Sequence, residues 1–213
     1  MPPGPHRVTE HMRTFIALCL SVGTTRRIAE AMEREQGRLA GLGWKLAWVP
    51  PANLHVTVKF VGDVPPESID AISAAVRRRA AVLPPMTLKV KGYGVFPVPV
   101  PVPVPAPAPA PEAPRVLWVH VDGGAPLSAF KTSLEGDLFE LGFPRDLVTY
   151  RSHVTVARVT EAPASFDIGK VWSSDVDFGE DRIAEAVVYE SQLHRAGAEY
   201  VARARVPFSK LGK

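Results

Sequence analysis

The tetrapeptide His-Val-Thr-Val stands at residues 55–58 and again, letter for letter, at 153–156. Around each copy, hydrophobic periodicity predicts the same order of elements. The first half reads as a strand (Phe15–Leu20), a helix (about Thr24–Ala40), a short strand (Lys45–Val49) and the strand Leu54–Val61. The second reads as a strand (Val116–Val121), a helix (Pro126–Leu141), a short strand (Leu147–Tyr150) and the strand His153–Val159. From Phe15 to His55 is 40 residues and from Val116 to His153 is 37, a difference that ordinary loop variation covers. Such a chain is expected to be internally duplicated and to fold as two like halves.

The helices rest on spacing. Leu127, Phe130, Leu134, Leu138 and Leu141 step by 3, 4, 4 and 3. Ile69, Ile72, Val76, Ala80 and Leu83 do the same between Pro65-Pro66 and Pro84-Pro85, and each set lays one apolar stripe along a helix. Further strands are expected at Thr87–Phe96, Ala186–Leu193 and Val201–Phe208, rich in Val, Tyr and Phe. Between the two halves, proline takes every odd position from Pro97 to Pro111, eight in all. Proline lacks an amide donor and fixes φ, so nothing there pairs as a strand; a proline-rich loop over 97–114 is expected, a polyproline II rod or a projecting insertion. Residues 1–11, with three prolines, are expected to be a flexible extension. The fold class is α+β: a single bilobal domain over 12–213, a pseudo-twofold duplicated fold with two small antiparallel sheets lining a central groove and helices outside.

Composition narrows the function classes. With 46% hydrophobic and 22% charged residues over 213 positions, the chain is globular and not disordered as a whole. Its one cysteine, Cys19, permits neither an internal disulfide nor a thiolate metal site, which points to a reducing compartment and a cytoplasmic location. The run Phe15–Leu20 falls far short of the ~20 apolar residues of a membrane-spanning helix, so no membrane partner is expected. Thr24-Thr25-Arg26-Arg27 stands where a secretory signal would have its small-residue cleavage site. The 25 Lys and Arg against 22 Asp and Glu permit an anionic partner without demanding one.

Side chains alternate along an extended strand, so Val56, Val58 and Phe60 are expected toward a core and His55, Thr57 and Lys59 on the other face. The second copy puts His153 and Thr155 on one face and Val154 and Val156 on the other; Arg158 then falls on the apolar side unless the strand bulges. Two histidines on matching strands suit a reaction that removes a proton on one side of a bond and delivers one on the other. An ordinary pKa near 6.5 lets one ring be neutral while the other is charged. Thr57 and Thr155 add hydroxyl donors, and the four side chains outline a box that matches the non-bridging oxygens of a phosphodiester. Metal binding is the rival use of a histidine pair. Without an acidic or third histidine ligand nearby, the pair falls short of the three protein ligands of a catalytic zinc, so neither metal nor cofactor is expected.

Paired His-x-Thr-x motifs about a hundred residues apart in a cysteine-poor chain of this length resemble the 2H phosphoesterase superfamily. Within it, the chain is similar to the RNA 2′,3′-cyclic phosphodiesterase branch, also called 2′-5′ RNA ligase or LigT-like proteins. Met12-Arg13-Thr14-Phe15-Ile16-Ala17 resembles the family's opening strand, Val49-Pro50-Pro51-Ala52-Asn53-Leu54 the approach to its first motif, and Lys59-Phe60-Val61-Gly62 the exit. Gly94-Val95-Phe96-Pro97 and Pro114-Arg115-Val116-Leu117-Trp118 are similar to its central hairpin, and Val188-Tyr189-Glu190-Ser191 to its late strand. The resemblance implies metal-independent hydrolysis of an RNA or nucleoside 2′,3′-cyclic phosphate to a 2′-phosphate, with reversible 2′-5′ ligation in the same site. It implies His55 as proton donor and His153 as proton acceptor, with Thr57, Thr155 and Arg158 binding the substrate phosphate.

The chain also departs from the family pattern. Sixteen residues, Val98 to Ala113, extend a hairpin that is usually short, and Tyr150-Arg151-Ser152 precede the second motif where relatives often carry proline. Tyr93, Phe96, Trp118 and Tyr150 are candidates for stacking on a base, with plain core packing as the competing role. Arg77-Arg78-Arg79 is expected to be a solvated face, and Arg203 and Arg205 are candidates for a groove wall. The alternative function is a non-catalytic nucleotide- or RNA-binding module whose proline-rich loop docks an unidentified partner.

Overall fold

The computed structural model describes residues 11–97, 114–163, 175–195 and 197–209. The expected extension and the body of the proline-rich loop lie outside these residues.

Among the described residues three helices form, where periodicity placed them: α1 (Val22–Gly41), α2 (Ser68–Ala80) and α3 (Gly124–Glu140). Ser21 begins α1, its hydroxyl accepting the Thr24 amide at 3.2 Å, which satisfies one of the four orphan donors of a helix start. The chain turns out of α1 at Gly43, whose φ of +83° favours glycine. Leu127, Phe130, Leu134 and Leu138 of α3 are buried, as are Ile72, Val76 and Ala80 of α2; each large apolar side chain so placed stabilises the fold by ~1.5–3 kcal/mol. α2 stops three residues before the end of its stripe, and Leu83 folds back through a turn to Ala80. The arginine run is only partly solvated, because Arg78 and Arg79 both pair with Asp137 of α3.

The strands are β1 (Met12–Cys19), β2 (Lys45–Trp48), β3 (His55–Val64), β4 (Met86–Phe96), β5 (Val116–Asp122), β6 (His153–Glu161), β7 (Asp177–Ile183), β8 (Glu185–His194) and β9 (Gly197–Pro207). Instead of two sheets, the strands of the described residues form one antiparallel sheet of nine in the order β7-β4-β5-β6-β3-β1-β8-β9, with β2 on β6. The correction has a simple cause. The two motif strands, β3 and β6, lie side by side and meet through one bridging pair, Val56 with Val154, both fully buried. That rung joins what alternation alone reads as separate halves. A second correction concerns Leu147–Tyr150, where no strand forms: residues 143–152 have no regular structure, and Leu147 is fully exposed. This segment is held by side chains, as described below. β7 was not expected; its sequence Asp-Phe-Gly-Glu-Asp-Arg-Ile buries only Phe178, Asp181 and Ile183. Among the described residues no helix is long and apolar enough to cross a membrane.

Candidate active site

Both motif strands carry a bulge at the same place. In β3, Thr57 lies opposite Ala17 and Lys59 opposite Ile16, so Val58 is the extra residue. In β6, Thr155 lies opposite Trp118 and Ala157 opposite Leu117, so Val156 is extra. A bulge shifts the side-chain phase by one. Val58 and Lys59 are therefore both buried, as are Val156 and Ala157, while Phe60 is 60% exposed. The simple alternation expected for Lys59 and Phe60 is reversed. The same shift settles Arg158: Val116, Trp118 and His120 alternate along one face of β5, and their partners are Arg158, Thr155 and His153. Arg158 is thus exposed on the same face as the second motif's His and Thr.

The Val56–Val154 bridge is antiparallel, so one residue to either side His55 comes beside Thr155 and Thr57 beside His153. The histidines stand on the diagonal of this square, within reach of one another's long side chains as such cross-strand neighbours are. Each ring is oriented in the same way. Nδ1 of His55 lies 2.7 Å from the Asn53 carbonyl, and Nδ1 of His153 lies 2.6 Å from the Arg151 carbonyl. A carbonyl only accepts, so Nδ1 carries the proton in both rings, and Nε2 is left to gain or lose one. Nε2 of His55 is 2.9 Å from the Thr57 hydroxyl. Asn53 is itself fixed by donating to the Ala198 carbonyl at 2.8 Å.

Burial lowers the pKa of both histidines below the usual 6.5, only partly offset by the carbonyl bonds; at His55 the charge of His153 lowers it further. Both rings are therefore mainly neutral at pH 7 in the unliganded protein.

Aromatic rings frame each histidine. Phe15 and Tyr200 lie 5.1 and 5.3 Å from the His55 ring, and Phe96 and Trp118 lie 5.0 and 5.9 Å from the His153 ring. Gly94 makes room for Trp118, since a Cβ there would sit 2.2 Å from the indole. Two recesses flank the square. One of about 340 Å³ opens beside His55 between Tyr189, Tyr200, Arg205 and Cys19. The other, about 560 Å³, opens beside His153 and Thr57 between Phe60, Phe96, Val148 and Tyr150. The wall of the second is pinned from beneath. Lys59, 3% exposed, donates to Glu135 at 2.6 Å, to Asp146 at 2.7 Å and to the Pro144 carbonyl at 2.8 Å. Lys131 donates to the same two carboxylates, and the Tyr150 hydroxyl donates to the Thr57 carbonyl at 3.0 Å.

His55, Thr57, His153, Thr155 and Arg158 are thus brought to one face. Phe96, Trp118 and Tyr150 stand beside them, whereas Tyr93 packs on Phe178 at 5.9 Å. Arg205 reaches the first recess, and Arg203 is paired with Glu190. Sequence reasoning missed Phe15, Tyr189 and Tyr200 around His55, Phe60, and the Lys59 cluster. The signal for the first three was alternation in β1, β8 and β9; for the others there was none. Among the described residues no three His, Cys, Asp or Glu side chains gather as a metal site would need.

A family profile described as LigT like phosphoesterase matches residues 22–104. The RNA 2′,3′-cyclic phosphodiesterase of Methanothermobacter thermautotrophicus is 30% identical over 194 residues, covering 89% of this chain and 95% of its own. That of Thermotoga maritima is 28% identical over 191 residues, covering 89% and 91%. The crystal structure of a Thermus thermophilus protein matches with a TM-score of 0.74 at 22% identity, covering 92% of this chain and 98% of that one. Escherichia coli LigT complexed with 3′-AMP matches with 0.68 at 19%, covering 94% and 100%; at these identities the structural likeness speaks to the fold.

Proposed function

This chain belongs to the LigT-like phosphoesterase family and, like its curated relatives, is a cyclic phosphodiester hydrolase; we propose that it opens the 2′,3′-cyclic phosphate of RNA ends or nucleotides to a 2′-phosphate, with His55 and His153 as paired acid and base and no metal. The observation that carries this reading is the twin orientation of the imidazoles, each with Nδ1 on the carbonyl two residues back, which leaves Nε2 as the nitrogen that can exchange a proton.

With the phosphorus between the rings, Nε2 of His153 takes a proton from water as the water oxygen attacks. The P–O3′ bond breaks, and Nε2–H of His55 protonates the departing O3′. The phosphate's own charge supports the protonated form of the acid that burial otherwise disfavours. Thr57 and Thr155 hydroxyls donate to the non-bridging oxygens, and Arg158 adds a fixed positive fork on the same face. With a 5′-hydroxyl in place of water as the attacking group, the same acid and base form a 2′-5′ linkage, and the reverse of that step re-forms the cyclic phosphate. The matched bulges at Val58 and Val156 support a duplication that related the two halves by a pseudo-twofold axis, with the motifs facing across one groove. A lone thiol, Cys19, fits a cytoplasmic setting.

The test is hydrolysis of a short RNA ending in 2′,3′-cyclic phosphate, with EDTA, from pH 5 to 9, by the parent, His55→Ala and His153→Ala. A 2′-phosphate product formed by the parent and lost in both variants is expected. Activity that survives either substitution, or that EDTA abolishes, would refute the mechanism.

A further inference from the structure

Each motif histidine keeps its proton on Nδ1 because a carbonyl two residues back accepts it. Left to itself, a neutral imidazole more often carries that proton on Nε2, so the carbonyl has to be held in place for Nε2 to act as a base. A trans peptide is planar, with the carbonyl of one residue and the amide of the next pointing in opposite directions. Turning a carbonyl toward a ring therefore turns the next amide as well. In an extended strand that amide would bond across to the neighbouring strand, and a backbone group deprived of its partner needs another.

The first motif meets this need with a turn. Pro51–Asn53 form one turn of 3₁₀ helix, and the Leu54 amide donates to the Pro51 carbonyl at 3.1 Å, which leaves the Asn53 carbonyl to His55. The second motif, preceded by residues without regular structure, uses a side chain instead. His120 of β5 is paired with His153, so Val121 stands opposite Ser152. The Val121 amide donates to the Ser152 carbonyl at 3.2 Å, one half of an antiparallel hydrogen-bonded pair. The other half would run from the Ser152 amide to the Val121 carbonyl, but that carbonyl accepts the Ser152 hydroxyl, at 2.6 Å. With β5 satisfied by the side chain, the Arg151–Ser152 peptide is released from the ladder, and the Arg151 carbonyl meets Nδ1 of His153 at 2.6 Å.

We propose that Ser152 is the positioning residue of the second motif: its hydroxyl stands in for its own amide and so keeps the Arg151 carbonyl on His153. This fixes the tautomer from which Nε2 accepts a proton, and it rests on the base role assigned to His153 above. Ser152 acts through the ring and not on the substrate. With alanine in its place, the amide swings back to the Val121 carbonyl and draws the Arg151 carbonyl away. Proline has no amide to swing back, so it holds the carbonyl by a different route.

The test is the tautomer of His153, read from long-range 15N–1H spectra of histidine-labelled protein at pH 8, where protonated and bare ring nitrogens resonate far apart; His153→Gln identifies the signal. The parent, Ser152→Thr and Ser152→Pro should carry the proton on Nδ1. Ser152→Ala should carry it on Nε2 or exchange it between the two, with the His55 signal unmoved as evidence of an intact fold. In hydrolysis of cytidine 2′,3′-cyclic phosphate, Ser152→Ala should lower kcat about tenfold or more, toward the ~100-fold that a 1 Å misplacement costs, with KM within about twofold. Ser152→Thr should restore kcat. If Ser152→Ala does not fold, Ser152→Cys, of similar size but only a weak donor, carries the same comparison. Nδ1–H retained in Ser152→Ala, or lost in both Ser152→Thr and Ser152→Pro, overturns the clamp, and so does a fall in kcat with no change of tautomer. A parent with its proton on Nε2 overturns the clamp and the base assignment together. A parent with Nδ1–H that hydrolyses nothing overturns the hydrolytic reading alone, and the spectra of the variants still decide the clamp.

Discussion

Replacing Lys59 with methionine removes the cation at the centre of the cluster that pins residues 143–152 to β3. Burial alone would raise the Glu135 carboxyl, but hydrogen bonds from Lys131 and Lys59 outweigh it and hold the group at about 2, against an ordinary 4.5. That difference corresponds to about 3 kcal/mol of stability. Because the folded pKa is depressed, the contribution is complete above pH 4.5 and drains away as pH falls toward 2. In Lys59→Met, Lys131 still faces Glu135 and Asp146, so the loss at pH 7 should sit at the low end for a broken buried pair, about 3 kcal/mol. For a chain of this size that lowers Tm by about 6–12 °C. By pH 3 the parent has lost about 2 kcal/mol through Glu135, whereas the variant, whose Glu135 keeps the Lys131 bond but not that of Lys59, starts from a smaller depression and loses less. The gap between them should therefore be smaller at pH 3 than at pH 7. Urea unfolding followed by tryptophan fluorescence at pH 7 and pH 3 measures both values. An equal gap at the two pH values would refute the argument, because it would mean that lost packing, not the ion cluster, sets the cost.

Burial lowers both histidines below 6.5, so the protonated ring that the proposed acid–base pair requires in the free protein is lost as pH rises. The alkaline limb of kcat/KM should have its midpoint below pH 6.5, and that of kcat should lie higher, because bound phosphate favours the imidazolium; a kcat/KM that stays level from pH 6.5 to 8.5 counts against this. Thr57→Val and Thr155→Val keep shape and remove a donor, so each should cut kcat about 10- to 100-fold with circular dichroism unchanged; wild-type turnover in both would remove the hydroxyls from the mechanism. Gly94→Ala forces Trp118 from its place beside His153 and should cost about 1–3 kcal/mol in thermal unfolding together with activity. A variant as stable as the parent would show that the indole moves freely.

What the sequence made legible was whatever repeats with a regular period. The apolar stripes located α2 and α3 to within a turn, and alternation put His55 with Thr57 and His153 with Thr155. Bulges break that rule silently: Val58 and Val156 look like any strand valine, and only the opposing strand reveals the extra residue. Lys59 and Phe60 were misassigned for this reason. Pairing partners were equally hidden. Nothing in Lys-Leu-Ala-Trp says that β2 should lie against β6, over a hundred residues away. The segment around Val148 read as a strand because its residues are β-formers, but it is fixed by Asp146 and Tyr150 contacts that no local pattern encodes.

The single rung between β3 and β6 has a further consequence. Neighbouring strands in this sheet share long ladders, such as β8 with β9 over ten aligned pairs, but the motif strands touch at one. Their spacing is set at the two ends of that rung: β2 and Val49 take over the edge of β6 beyond one end, through the bond from the Val49 amide to the Val156 carbonyl at 2.9 Å, and Tyr150, just before β6, donates to the Thr57 carbonyl of β3 at the other. The arrangement works like a pair of callipers whose jaws are set by the frame. The histidines can be exchanged without altering the gauge, whereas removing the Tyr150 hydroxyl, which bonds only to the backbone of β3, loosens one end of the seam between the two motif strands.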